Sequence, residues 1–220
     1  MGVDVGSLSP VQNVALGVIS GTIEVTTLQP MLYCKNAVQQ GLPLSLNPMV
    51  LYRGLGVSVM NMSILTGLQF PLTGMVASAI LGGQARPLTS AEKVGSGFAG
   101  GAISGIVCAP MELVMIQQQR FGTSMAGAAR RIVSEFGASS LLRGLLTSCG
   151  REGLFAAGYM GLGPLFGQAL IDSYGVEEGI GNFAGAAGAG CIAATLSHPL
   201  DTIKTCMQGD IERKTYTTLQ

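Results

Sequence analysis

The chain has 220 residues, of which 48% are hydrophobic and 11% charged, with mean hydropathy +0.47 and formal net charge zero. A charge fraction under half the globular norm of about 25% excludes an ordinary soluble surface, and the zero balance gives nucleic-acid binding no electrostatic footing. The few charges are clustered. None falls in 5–23, 54–85, 94–111, 153–171 or 181–200, and each of these runs reaches the about 18 residues of a spanning helix. A polytopic α-helical membrane protein is therefore expected, because a helix satisfies its own backbone in lipid. Trp is absent, so the aromatic belt at the membrane surface is weak, and loop charges do not set an orientation.

In chain order, residues 1–10 hold no Arg and do not read as a cleavable presequence. Gly2 opens like an acylation signal, but Gly6 stands where Ser or Thr is needed. A first helix is expected over 10–39, then a Pro- and Asn-containing loop over 41–50, and a second helix over 55–81. A polar turn at 84–90 leads to a third helix over 91–119. An amphipathic segment at 126–136, with Arg130, Arg131 and Glu135, suits a short interfacial helix. A fourth helix over 145–171, an acidic loop over 172–178 and a fifth helix over 181–208 complete the reading. Cys34, Cys108, Cys149, Cys191 and Cys206 have no metal spacing and read as small hydrophobes. His198 reads as a helix-packing residue. No nucleophile–base pair, metal cluster or phosphate loop is seen, so neither an enzyme nor a cofactor is expected.

A short pattern recurs three times at the ends of the first, third and fifth helices. Pro30 is followed by Lys35 and Gln39. Pro110 is followed by Glu112, Met115 and Gln119, and Pro199 by Asp201, Lys204 and Gln208. Positions two, five and nine residues after each Pro share one helical face, and a Pro within a helix bends it. Gly17 and Gly21 precede Pro30 by thirteen and nine residues. Gly97 and Gly101 stand at the same offsets before Pro110, and Ala186 and Gly190 before Pro199. Small residues four apart let helix backbones approach closely in a membrane. Arg53-Gly54 and Arg143-Gly144 open the second and fourth helices. The chain therefore divides into a first repeat over 1–87, a second over 88–180 and the first half of a third over 181–220, all within one transmembrane domain. Five spans are visible where threefold symmetry asks for six.

At these residues the chain resembles the mitochondrial carrier family. That family's repeat signature is Pro-x-acid-x-x-base-x-base-x-Gln followed by an aromatic-base-Gly element. The third copy matches except for Cys206 at the second basic position. The resemblance implies an all-α bundle of kinked odd-numbered and straight even-numbered helices around a cavity, in the mitochondrial inner membrane. It also implies a ring of acid–base pairs on the matrix side, Glu112 with Lys204 and Asp201 with Lys35, braced by Gln39, Gln119 and Gln208. The third pair is replaced at both positions, by Leu32 and Met115. Losing one partner alone would strand a charge in a dry site, at about 3–5 kcal/mol. The family's second ring has no acid or base near Thr73-Gly74 or Gly163-Pro164. Arg53, Gly54, Arg143 and Gly144 are implied lipid contacts, with cardiolipin among the lipids. Asn61, Arg151 and Glu152 are implied solute contacts, Met62 falling at the position beside Asn61, and the Arg–acid pair resembles that of the amino-acid carriers.

Glu24 adds a further intramembrane charge three turns before Lys35. Two functions follow. One is exchange of a small amino-acid-like or carboxylate solute. The other is a transport-inactive structural subunit of a larger respiratory-type complex, whose helix would close a five-helix cup.

Overall fold

The computed structural model describes residues 10–216, with side chains from Val18 onward. The expectations for the N-terminal leader and for the Gly17 contact lie outside the described residues. Regular structure within them is helical throughout. Helix α1 is Pro10–Gln39, α2 a single turn Pro48–Leu51, and α3 Leu55–Leu81. Helix α4 is Ser90–Phe121 and α5 Met125–Phe136. A 3₁₀ turn at Ala138–Leu142 leads to α6, Leu145–Ala156. A π turn at Ala157–Leu162 joins α6 to α7, Gly163–Tyr174, and α8 is Glu178–Gly209. Four stretches are long and apolar enough to cross a membrane: Pro48–Leu81, Ser90–Phe121, Ala138–Tyr174 and Glu178–Gly209. Helix α1, at 30 residues, also has the length. Pro30, Pro110 and Pro199 each stand inside a continuous helix, and so does Pro71 of α3.

Several exposed hydroxyls inside these helices are satisfied locally. Thr26 and Thr27 of α1 and Thr195 of α8 are exposed, and each hydroxyl donates to the carbonyl four residues earlier at 2.7–2.8 Å. That bond lets a hydroxyl face lipid without an orphaned donor. The start of α4 is a capping box. Thr89 N–H donates to the Glu92 carboxylate at 2.8 Å, and the Glu92 N–H donates back to the Thr89 hydroxyl at 3.3 Å.

By contacts the described chain forms two compact units. The first gathers residues up to Leu68, Pro110–Arg143, and the residues from Thr205 on. The second gathers Gln69–Ala109 and Gly144–Lys204.

In the first unit, α5 turns Ala128 and Ile132 onto Leu113 and Val114 of α4, and Ile211 closes the cluster. The amphipathic reading of 126–136 is therefore realised as an apolar stripe buried on α4. The Ser124 hydroxyl caps α5 by accepting from Gly127 N–H at 3.1 Å. Beyond α8 the chain folds back, because the Asp210 carboxylate accepts from Lys214, Thr215 and Tyr216 N–H at 3.1, 2.7 and 2.9 Å. Burial pushes this carboxyl up, but the three amides outweigh it and hold it below the usual range. A depressed value stabilises the fold above the ordinary carboxylate pKa and is lost as pH falls through the lowered one. Amide exchange at Lys214, Thr215 and Tyr216 should therefore be slow near neutrality and accelerate below about pH 4 relative to the rest of the chain. Asp210→Ala should show the fast exchange at every pH.

In the second unit the helices touch along glycines. A Cβ at Gly97 would lie 3.1 Å from the Ala156 carbonyl oxygen, and one at Gly101 2.5 Å from that of Glu152. The α4 offset pair is thus the seam against α6. In the first unit Gly21 packs likewise, its built Cβ 3.0 Å from Met62 Cγ. The third copy differs from expectation. Gly190 faces open space, and Ala186 is exposed. The α8 seam instead runs through Gly181, Gly185, Ala189 and Ala193, all buried, with Gly185 against Gly167 of α7. This row starts at a different residue from the expected pair and so projects on a different side of the helix.

Candidate functional site

The three Pro motifs end in a region where helix termini are tied by side chains. In the first unit the Asn36 amide of α1 donates to Gln119 Oε1 of α4 at 2.8 Å, both residues being buried. Gln117 Nε2 reaches from α4 to the Gln208 and Gly209 carbonyls of α8, at 2.6 and 3.1 Å. Gln208 Nε2 donates to the Arg143 carbonyl at 3.4 Å, and the Cys206 thiol faces the Gln39 carbonyl at 3.0 Å. Gln119 and Gln208 thus reach other segments through their side chains, and Gln39 through its carbonyl.

Both Arg-Gly elements do the same work. Gly54 and Gly144 take φ of +88° and +77°, which glycine adopts without strain. Each preceding Arg then turns to the C-terminal end of another helix. Arg53 donates to the Gln119 carbonyl of α4 at 3.5 Å. Arg143 donates to the Met207 carbonyl of α8 at 2.7 Å and to Tyr216 O at 2.9 Å. A cation on otherwise unpaired end carbonyls satisfies them and complements the helix dipole. Gln29, fully buried before Pro30, donates to the Arg53 carbonyl at 3.2 Å. At the position where the second copy lacks its base, Met115 accepts from the Ser58 hydroxyl at 2.9 Å. An apolar, polarizable side chain thus still receives one weak bond.

The second unit holds a polar thread inside apolar helices. Arg151 pairs with Glu152, which is only 1% exposed. Arg151 Nε also lies 3.7 Å from Asp201 Oδ1, and Lys204 Nζ lies 3.6 Å from the same oxygen. Gln69 Nε2 donates to Glu152 Oε2 at 3.3 Å, and the Tyr159 hydroxyl donates to Gln69 Oε1. Two acids and two bases are thus gathered where an isolated charge would be costly.

The residues singled out from sequence divide between the units. Glu24, Lys35, Asn61 and Glu112 belong to the first, and Arg151, Glu152, Asp201 and Lys204 to the second. Glu24 is exposed, and Asn61 Oδ1 is buried with no hydrogen-bond donor among the described residues. His198 is exposed rather than packed, because the buried row of α8 passes through Ser197 and Asp201 on another side. Asn36, Gln29, Gln117, Gln69 and Tyr159 were not marked by any motif. The available signal was their polarity within otherwise apolar spans.

Comparison with known proteins agrees with this architecture. A family model described as mitochondrial carrier protein matches residues 86–172. Mitochondrial substrate carrier family protein X of Dictyostelium discoideum is 34% identical over 53% of this chain and 40% of its own length. The mitochondrial basic amino acids transporter of Rattus norvegicus is 29% identical over 73% of this chain and 53% of its own. Mitochondrial uncoupling protein 4 of Arabidopsis thaliana is 22% identical over 70% and 53%. The chain spans about half the length of the curated relatives it matches. Its helical spans and phased Pro motifs fit a multi-pass membrane protein, and over residues 86–172 the chain is similar to the mitochondrial carrier family.

Proposed function

We propose that the protein exchanges a small amino-acid-like solute across the mitochondrial inner membrane, with Arg151 and Glu152 as its contacts. The observation that carries this reading is an ion pair whose acid is only 1% exposed, set within a spanning stretch. A carrier must offer charge at membrane depth to a charged solute, and ionisable groups there mark such paths. The likeness to a mitochondrial basic amino acids transporter over 73% of the chain points to the same solute class. Asn61, with an unmatched buried acceptor, and Glu24 are further solute contacts proposed from the sequence alone. Lys35, Glu112, Asp201 and Lys204 are proposed from the sequence alone as matrix-side gate residues, and Arg53-Gly54 and Arg143-Gly144 as lipid contacts.

The test is uptake by the purified full-length protein in liposomes loaded with unlabelled amino acid. Saturable exchange of a labelled amino acid is expected, reduced at least about thirtyfold in Arg151→Ala, since an unpaired carboxylate partner typically costs 2–5 kcal/mol. Absence of exchange for cationic, neutral and acidic amino acids alike would overturn the reading.

A further inference from the structure

Gln69 and Tyr159 stand at matching places in the two even-numbered spans, each fifteen residues after its Arg-Gly glycine, Gly54 or Gly144. Neither belongs to the repeat signature, yet they bond to each other and to the buried acid. Tyr159 lies in the π turn Ala157–Leu162. Such a turn carries an extra residue, changes the direction of the side chains on it, and recurs at functional sites. Gly161 lets it sit close to α4, since a Cβ there would fall 2.8 Å from Val94 Cα. The turned Tyr159 ring stacks at a tilt on Phe155, centroids 6.1 Å apart, and its hydroxyl reaches Gln69 Oε1.

An amide has one accepting and one donating end. Once the Tyr159 hydroxyl occupies the oxygen of Gln69, the nitrogen is turned to Glu152 Oε2, where it donates at 3.3 Å. Arg151 holds the other oxygen, Oε1. The acid is thus gripped from two sides, by a base that can exchange partners and by an amide that cannot be titrated. A solute with both a carboxylate and an ammonium can enter this pair without changing its charge. Its carboxylate takes Arg151 and its ammonium takes Glu152. The exchange works only if Glu152 stays in place while Arg151 turns.

We propose that Gln69 and Tyr159 are positioning residues that hold Glu152 for the ammonium group of the solute, and so select amino acids over carboxylates of the same skeleton. The proposal rests on the assignment of Arg151 and Glu152 as solute contacts. It is tested by the inhibition constants of an amino acid and of the same acid without its amino group, in full-length protein in liposomes. Tyr159→Phe keeps the ring and its packing and removes only the hydroxyl. Gln69→Leu removes the amide at similar volume. Both are expected to lower the preference for the amino acid about tenfold while changing the deaminated acid's constant less than about twofold, since one bond to a charged group is lost. A merely structural role would weaken both ligands in parallel. That outcome, or an unchanged preference in both variants, would overturn the proposal. Wild-type protein that exchanges neither compound overturns the solute-contact assignment instead, and wild type that exchanges both without preference overturns the positioning role alone.

Discussion

A Gly185→Val protein should fail to assemble its second unit. A Cβ at Gly185 would fall 2.6 Å from Gly167 Cα and 2.9 Å from the Gly163 carbonyl oxygen, both backbone atoms of α7. Backbone cannot step aside as the tip of a flexible side chain can. Overpacking typically costs about 1–3 kcal/mol, and two backbone clashes place this site at or above the top of that range. The expected result is loss of the monodisperse detergent-solubilised protein, or a melting temperature lowered by about 6–12 degrees, the range expected of about 3 kcal/mol in a chain this size. Gly190→Val is the control on the same helix. Nothing lies within 4 Å of its built Cβ, so its melt should stay within about two degrees of wild type. Equal damage from both would show that α8 packs on the Gly190 side after all.

The helices were legible because the signals for them are dense. Charge-free runs, Pro at the same phase and glycine at the turns gave α1 and α3 with the boundaries observed, Pro10–Gln39 and Leu55–Leu81. The stripe of Ala128 and Ile132 gave α5. What failed was finer. Ala186 and Gly190 matched the offsets of Gly97 and Gly101, but α8 is small-residue-rich on several sides, so periodicity there had no unique answer. Gly181, Gly185, Ala189 and Ala193 offer an equally regular row, and only the neighbouring backbone decides between them.

The charges of the buried Arg151–Glu152 pair were legible in the sequence, and its neutral partners were not. Glu152 and Arg151 stood out as adjacent ions in an apolar run. Gln69 and Tyr159 did not, because one amide and one phenol in a membrane helix are unremarkable until their bond is seen. The π turn that aims Tyr159 has no sequence signature beyond a local run of glycines. The Arg-Gly elements were read for their glycines and for lipid. Their side chains proved to serve the ends of other helices, which depends on contacts 64 to 66 residues away in the chain.

Arg143→Leu should have a large effect, and one unlike that of Arg53→Leu. Arg143 is 8% exposed and donates at 2.7 and 2.9 Å to carbonyls on either side of the α8 terminus. Hydrogen bonds to a charged group contribute about 1.5–3 kcal/mol each, so removing both should cost about 3–6 kcal/mol. Leucine leaves the Met207 and Tyr216 carbonyls without that donor. Arg53 makes one longer bond, 3.5 Å to Gln119 O, in a less buried setting, so its loss should cost under about 1 kcal/mol. Amide exchange locates the effect. In Arg143→Leu the protection of residues 207–216 should fall, while the α5 amides over Leu113 and Val114 keep theirs. Arg143→Lys restores charge but not the planar fork that spans two carbonyls, so it should recover part of the stability and only some of the protection. Equal losses in the two Arg→Leu proteins would mean that the common sequence element, and not the local burial of its side chain, sets what each Arg contributes.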